Sequence, residues 1–377
     1  IKVMSGTNTV WHNRHDLGFE SSSDDDHDDH LHFDGGQSPA SSSGPDMDHR
    51  RLKKTSRAAW DAQAHDQRQK QSRTWDHHLP NLTPLTVEQI YIRRRLIRRG
   101  IPCRIRPEVW SWACSISIMS SSHPGEFSRL LEQSRHYKEP TVAQEQIEKD
   151  LQRTFPNHPF YRTQSGLDAL RSSLTAFAIR NPHIGYSQSM NFVAGLLNLL
   201  FDAERSYWML IAIVERILPR DFYDQSLLGC RVELGVLRIL IRKMLPEVDA
   251  ILTKFNIDIL VVCVGWFLPL FVNTLPIETV LRVWDCLLVE GEKVLFRISL
   301  ALLKLHVNDL SECRDANHVI KVLTRIGKDQ YDGDALMHQA FKKIGTLKRS
   351  TISKFRAVCR EKEENVEKAL NERRRQY

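Results

Sequence analysis

From residue 84 onward the apolar residues recur at helical spacing, and nowhere do they alternate with polar ones over the length of a strand. Val87, Ile90, Tyr91 and Leu96 set the pattern, and Gly100-Ile101-Pro102 ends the first domain helix. Pro107 suits the first turn of a second helix through Trp110 and Ala113, where its missing N–H is not needed. Ser165, with Asp168 three residues on, reads as a capping box opening a helix that runs to Arg180 and stops at Asn181-Pro182. The same spacing predicts helices over about 187–201, 204–217, 226–244, 258–271, 277–289, 293–306, 316–326 and 333–343. No Asn-Gly hairpin signal interrupts them, so the expected fold class is all-α, a single large multi-helix domain.

Composition places the edges of that domain. Residues 1–80 hold 19 apolar residues with 10 basic and 13 acidic ones, which leaves 43 basic against 33 acidic in residues 81–377. The Ser/Asp/His stretch and the Ser/Pro/Gly-rich stretches of residues 21–49 have too little apolar surface to offset the entropy lost on ordering. The expected layout is a disordered leader over 1–80, acidic and then basic, a folded domain over 82–345 and a charged C-terminal helix over 346–377. His27, His30 and His32 among the aspartates read as a solvated tract, and no metal is assigned to them. The basic run from Arg50 to Arg73 reads as a solvated linker. Residues 351–376 carry only Ile352, Phe355, Val358, Ala369 and Leu370 as an apolar seam, so a solvated terminal helix is expected.

Several classes are excluded or disfavoured. The longest apolar run, Ile259 to Val272, has 14 residues with a proline inside it, short of the roughly 20 a membrane helix needs, so a soluble protein is expected. Seven scattered cysteines with no C-x-x-C pair argue against a disulfide framework and fit a reducing, cytoplasmic compartment. No repeat of 20 to 50 residues suggests a solenoid. The chain has no G-x-x-x-x-G-K-[ST], no H-E-x-x-H and no G-x-S-x-G, which removes the usual nucleotide, zinc-protease and serine-hydrolase sites. The basic balance, pI about 9.0, raises nucleic-acid binding, but no recognition module accompanies it, and nucleic acid is not expected as a partner.

What remains is a set of polar residues planted in ordinary helical grammar. Asp150 and Arg153 stand three residues apart before Pro156, and residues alone read them as a surface ion pair. Tyr186, Gln188 and Asn191 open a very apolar helix. Trp110, Trp208, Trp266, Phe267 and Met190 read as core, and Trp284 with Asp285 as packing plus a local cap.

At these residues the chain resembles the TBC domain, the Rab GTPase-activating module. The family pattern I-x-x-D-x-x-R-T is met by Ile147, Asp150, Arg153 and Thr154, and the pattern Y-x-Q by Tyr186 and Gln188. Gly100-Ile101-Pro102 through Arg106, Val109 and Trp110 agrees too, as do Trp266-Phe267-Leu268 to Leu275-Pro276, and Arg282-Val283-Trp284-Asp285 with Glu290-Gly291 and Leu295-Phe296-Arg297. Five short motifs in family order cover about residues 85–345. Ser189 stands where many members have Gly, and Gly265 where many have Ser.

The resemblance implies an activator of GTP hydrolysis by a Rab-family small GTPase in its GTP form, with a role in vesicle trafficking. It implies that Arg153 acts in trans as an arginine finger and Gln188 as a glutamine finger that orients the attacking water. It implies no cofactor of the protein's own, since GTP and Mg²⁺ come with the partner. Asp150 is expected to hold the loop carrying Arg153, with Arg106 as its ionic partner. Thr154 is expected to support the site, while Tyr186 and Asn191 either touch the GTPase or anchor the helix start. The excess of basic charge is consistent with peripheral association with anionic endomembranes. The rival reading is a non-catalytic scaffold that binds a GTPase without accelerating it.

Overall fold

The computed structural model describes Trp75 and residues 94–375, and among them it contains helices and no strand. The expected leader therefore lies outside the described residues, except for Trp75. That residue is buried and its indole N–H donates to the Gly100 carbonyl at 2.9 Å.

The first described helix, α1, spans 94–99 and ends at Gly100, whose φ of 106° turns the chain. Then come α2 (Arg106–Ala113), with Pro107 in its first turn, α3 (Ile116–Ser122), α4 (Glu126–Arg135) and α5 (Val142–Leu151). A Thr141/Gln144 capping box starts α5, because each side chain satisfies a backbone N–H the helix leaves free. A 3-10 turn, Pro159–Arg162, leads into α6 (Gln164–Arg180). The predicted Ser165 cap is corrected here. Thr163 caps α6 by accepting from the Gly166 N–H at 3.1 Å, and Asp168 pairs with Arg171 on the surface.

Next are α7 (Met190–Asn198), α8 (Ala203–Ala212) closed by a π-turn at Ile213–Ile217, α9 (Leu228–Met244) and α10 (Pro246–Lys254). The chain continues through α11 (Leu260–Phe267), α12 (Ile277–Glu290), α13 (Lys293–Leu305), α14 (Val307–Ser311), α15 (Ala316–Arg325), α16 (Gly333–His338) and α17 (Arg349–Arg375). Periodicity missed α3, α4, α5, α10 and α14. These helices run from five to ten residues, so none shows more than about three turns of apolar stripe. None of the described helices is long and apolar enough to cross a membrane.

The core runs from Trp75 and Leu96 to Cys359, and the tryptophans expected inside are there: Trp110, Trp208, Trp266 and Trp284 are all buried. Asp285 is more than a local cap. Fully buried on α12, it accepts from Arg106 Nε at 2.9 Å, from Trp110 Nε1 at 2.8 Å and from the Ile101 backbone N–H at 3.1 Å. Arg106 also donates to the Ile101 carbonyl. The expected Arg106–Asp150 pair is thus overturned, because Arg106 is buried at the start of α2 with its charge already matched by Asp285.

The C-terminal helix is corrected as well. The first half of α17 docks on α9 through Ile352 and Cys359, and Arg356 forks onto buried Glu233 at 2.6 and 2.7 Å. A guanidinium facing two carboxylates, Glu233 and Glu292, supplies the adhesion that the thin apolar seam lacks.

Candidate functional site

The two sequence motifs meet where the end of α5 faces the start of α7. Asp150, in the last turn of α5, is buried, and its two oxygens point to different partners. Oδ1 lies 2.6 Å from Arg153 Nε, and Oδ2 accepts from the Tyr186 hydroxyl at 2.5 Å. Thr154, also buried, donates to the Asp150 carbonyl at 2.7 Å and accepts from the Asn191 side-chain amide at 2.8 Å. The Tyr186–Asp150 and Asn191–Thr154 bonds thus tie the end of α5 to the segment that opens α7 at two points. Of the two readings open for Asn191, its full burial and its bond to Thr154 fit an anchor of the helix start.

Arg153 and Gln188 are the exposed members of the group. The Arg153 side chain is 49% exposed and tethered by Asp150, whose hydrogen bond and charge hold the guanidinium pKa above its ordinary value. Burial, then the bond to Asp150, pushes the Tyr186 phenol well above its ordinary range, so it stays a neutral donor. Gln188 is not on the helix as predicted. Ser189 has φ 84°, a left-handed conformation, and α7 begins only at Met190. The amide therefore rides a short loop between Tyr186, which is tied down, and the helix start.

Sequence reading missed what supports this arrangement from below. Phe155 takes φ 45° directly after Thr154 and turns its ring against Tyr161 and Phe192. The loop carrying Arg153 can press this close to α7 because position 195 is glycine. A Cβ there would meet Thr154 Cγ2 at 2.8 Å and the Phe155 ring at 2.9 Å. The Tyr161 hydroxyl donates to the Gly195 carbonyl. A glycine within an apolar helix was the available signal. Among the described residues no group of His, Cys, Asp or Glu could hold a metal ion.

Residues 103–311, which contain both motifs and more than half the chain, match the profile of the Rab-GTPase-TBC domain. The chain belongs to the Rab-GTPase-TBC family. A TBC protein of Danio rerio described as growth hormone-regulated TBC protein 1-A is 36% identical over 273 residues, covering 71% of this chain and 75% of that protein. TBC1 domain family member 2A of Bos taurus is 36% identical across 74% of this chain but only 30% of its own length. Among solved structures, the Chlamydomonas flagellar RabGAP TBC domain superposes with a TM-score of 0.66 at 28% identity, covering 75% of this chain and 96% of that one. As a TBC domain the chain has a Rab GTPase as its implied partner.

Proposed function

We propose that this TBC protein accelerates GTP hydrolysis on a Rab-family GTPase in its GTP form, supplying Arg153 and Gln188 in trans. The observation that carries this reading is the pair of bonds, Tyr186 to Asp150 and Asn191 to Thr154, that brings two exposed side chains of the right chemistry together across the end of α5 and the start of α7. Phosphoryl transfer needs charge neutralised on the γ-phosphoryl oxygens and a water aligned with the leaving group. Arg153 is paired through Nε, so the two terminal amino groups of its fork remain available to those oxygens. The Gln188 amide carries both a donor and an acceptor, as a group that orients a water against a phosphoryl oxygen must. Water attacks the γ-phosphorus and the β–γ phosphoanhydride breaks, with GTP and Mg²⁺ brought by the partner.

Action on membrane-bound Rabs from the cytoplasmic side, in vesicle trafficking, follows from this reading. The excess of basic residues beyond residue 80 favours peripheral contact with anionic membranes. The test is single-turnover hydrolysis over a panel of GTP-loaded Rabs with wild type, Arg153→Lys and Gln188→Ala. Acceleration of one or a few Rabs that both variants lose supports the proposal. A Rab that binds in its GTP form without acceleration would make the protein a scaffold.

A further inference from the structure

The loop that delivers Gln188 has a second point of attachment, which no motif marks. It begins at Asn181, the C-cap of α6, whose carbonyl accepts from the Ile184 N–H at 3.0 Å and the Gly185 N–H at 2.7 Å. Asn181 is buried, and its side-chain amide donates to Glu215 Oε1 at 3.2 Å. The same oxygen accepts from Arg180 Nε at 3.2 Å. Glu215 sits in the π-turn that closes α8, an irregularity that recurs at functional sites. Arg180 reaches on to Glu126 at the start of α4, and the Tyr207 hydroxyl donates to that same Glu126 oxygen. The Trp208 ring lies 5.7 Å from the guanidinium. Burial on its own lowers the Arg180 pKa, but Glu215, Tyr207 and Glu126 outweigh it and hold the charge in place.

Resting on the two-side-chain reading above, we propose that Glu215 is a positioning residue for Gln188, fixing the foot of the loop through Asn181 and Arg180 while Asp150 fixes its tip through Tyr186. A loop held at both ends has few conformers left to lose when the amide must align a water. Loosening one end lowers the rate of the chemical step without removing a contact to the GTPase. The side chain of Glu215 is 31% exposed, so its role lies in placing Asn181 rather than in overall stability.

The test is a double-mutant cycle on the full chain with a responsive Rab, measuring the saturating single-turnover rate, the half-saturating concentration and the melting temperature. Glu215→Ala is expected to lower the saturating rate about three- to tenfold and leave the half-saturating concentration within about twofold of wild type. Glu215→Gln keeps an acceptor for Asn181 and is expected to recover most of the rate. In a Gln188→Ala background, Glu215→Ala is expected to cost nothing more, because the residue it positions is gone. An undiminished loss in that background, a loss that follows the melting temperature, or a wild-type rate for Glu215→Ala overturns the proposal. Gln188→Ala at the wild-type rate removes the glutamine reading itself and this proposal with it, an outcome distinct from failure at Glu215 alone.

Discussion

Tyr186 donates its hydroxyl to Asp150 across 36 positions of sequence, so the carboxylate that tethers Arg153 also holds the loop that carries Gln188. Two short motifs that look independent along the chain share one buried anion. A disturbance at either reaches the other through it.

Replacing Arg153 separates activity from folding. Arg153→Lys and Arg153→Ala are expected to lose about 10³- to 10⁵-fold in Rab-stimulated hydrolysis, because lysine offers a point charge where a planar fork is needed. Arg153 is half exposed but Asp150 is buried, so Arg153→Lys, which keeps a cation beside the carboxylate, should melt close to wild type and Arg153→Ala lower. Phosphate release and a thermal melt on the same preparations check both parts.

Tyr186→Phe keeps the ring and removes one donor. The buried Asp150 oxygen then loses a partner, at an expected cost of about 1.5–3 kcal/mol in urea denaturation. The rate should fall further than Rab binding does, since both exposed side chains lose their common tether. A variant as stable as wild type would show that the Tyr186–Asp150 bond does not bear on the fold.

Ser189 and Gly265 depart from the family in opposite directions, and backbone geometry predicts that each can be improved. Ser189 holds φ 84° and its side chain makes no capping bond, so Ser189→Gly should stabilise by about 0.5–1 kcal/mol, with Ser189→Val destabilising. Gly265 lies within α11, and a Cβ there would meet nothing within 4 Å, so Gly265→Ala should stabilise by about 0.5–1 kcal/mol. Chemical denaturation of the two single variants and the double variant measures this, and the gains should add.

Gly195→Ala tests the close approach beneath Arg153. The new methyl would overlap Thr154 and the Phe155 ring, so a loss of about 1–3 kcal/mol is expected, with a fall in activity as the loop is pushed outward. Equal stability and activity in the variant would show that the loop yields freely.

Glu290 makes stability depend on pH. Burial alone would raise its pKa, but the bonds from Arg98 at 2.7 and 2.8 Å and the charges of Arg98, Lys293 and Arg94 bring it below the ordinary value. The contribution is therefore fully present above the unfolded carboxyl pKa, about 4.3, and is lost as pH falls through the lower folded value. Glu290→Gln should cost about 1.5–3 kcal/mol at neutral pH, and the gap to wild type should narrow with acid. Urea denaturation at pH 7 and below pH 4 makes the comparison.

Much of the site was legible because its parts are local. Asp150, Arg153 and Thr154 occupy one helix end, and Tyr186, Gln188 and Asn191 one helix start, so the family's short patterns fall whole within each. Pairings between distant residues were not legible. Arg106 was assigned to Asp150 as an available anion, whereas it lies against Asp285, 179 positions away. Ser165 has an acidic residue three positions on and Thr163 has Gly166 there, yet Thr163 is the cap, because the helix starts at Gln164.

The amino-acid sequence by itself determined the helical class and carried the short patterns that mark the family. Each of these depends on spacing within one or two turns of chain, and the polypeptide cannot escape such local rules. Tertiary structure alone decided that Asp150 serves both motifs, that glycine at 195 admits the Arg153 loop, that α17 lies on α9 through Arg356, and that Glu215 stands at the foot of the Gln188 loop. A buried charge finds its partner by where folding places it, and a glycine's worth depends on what presses against it. Both are set by packing between segments that one-dimensional spacing does not relate.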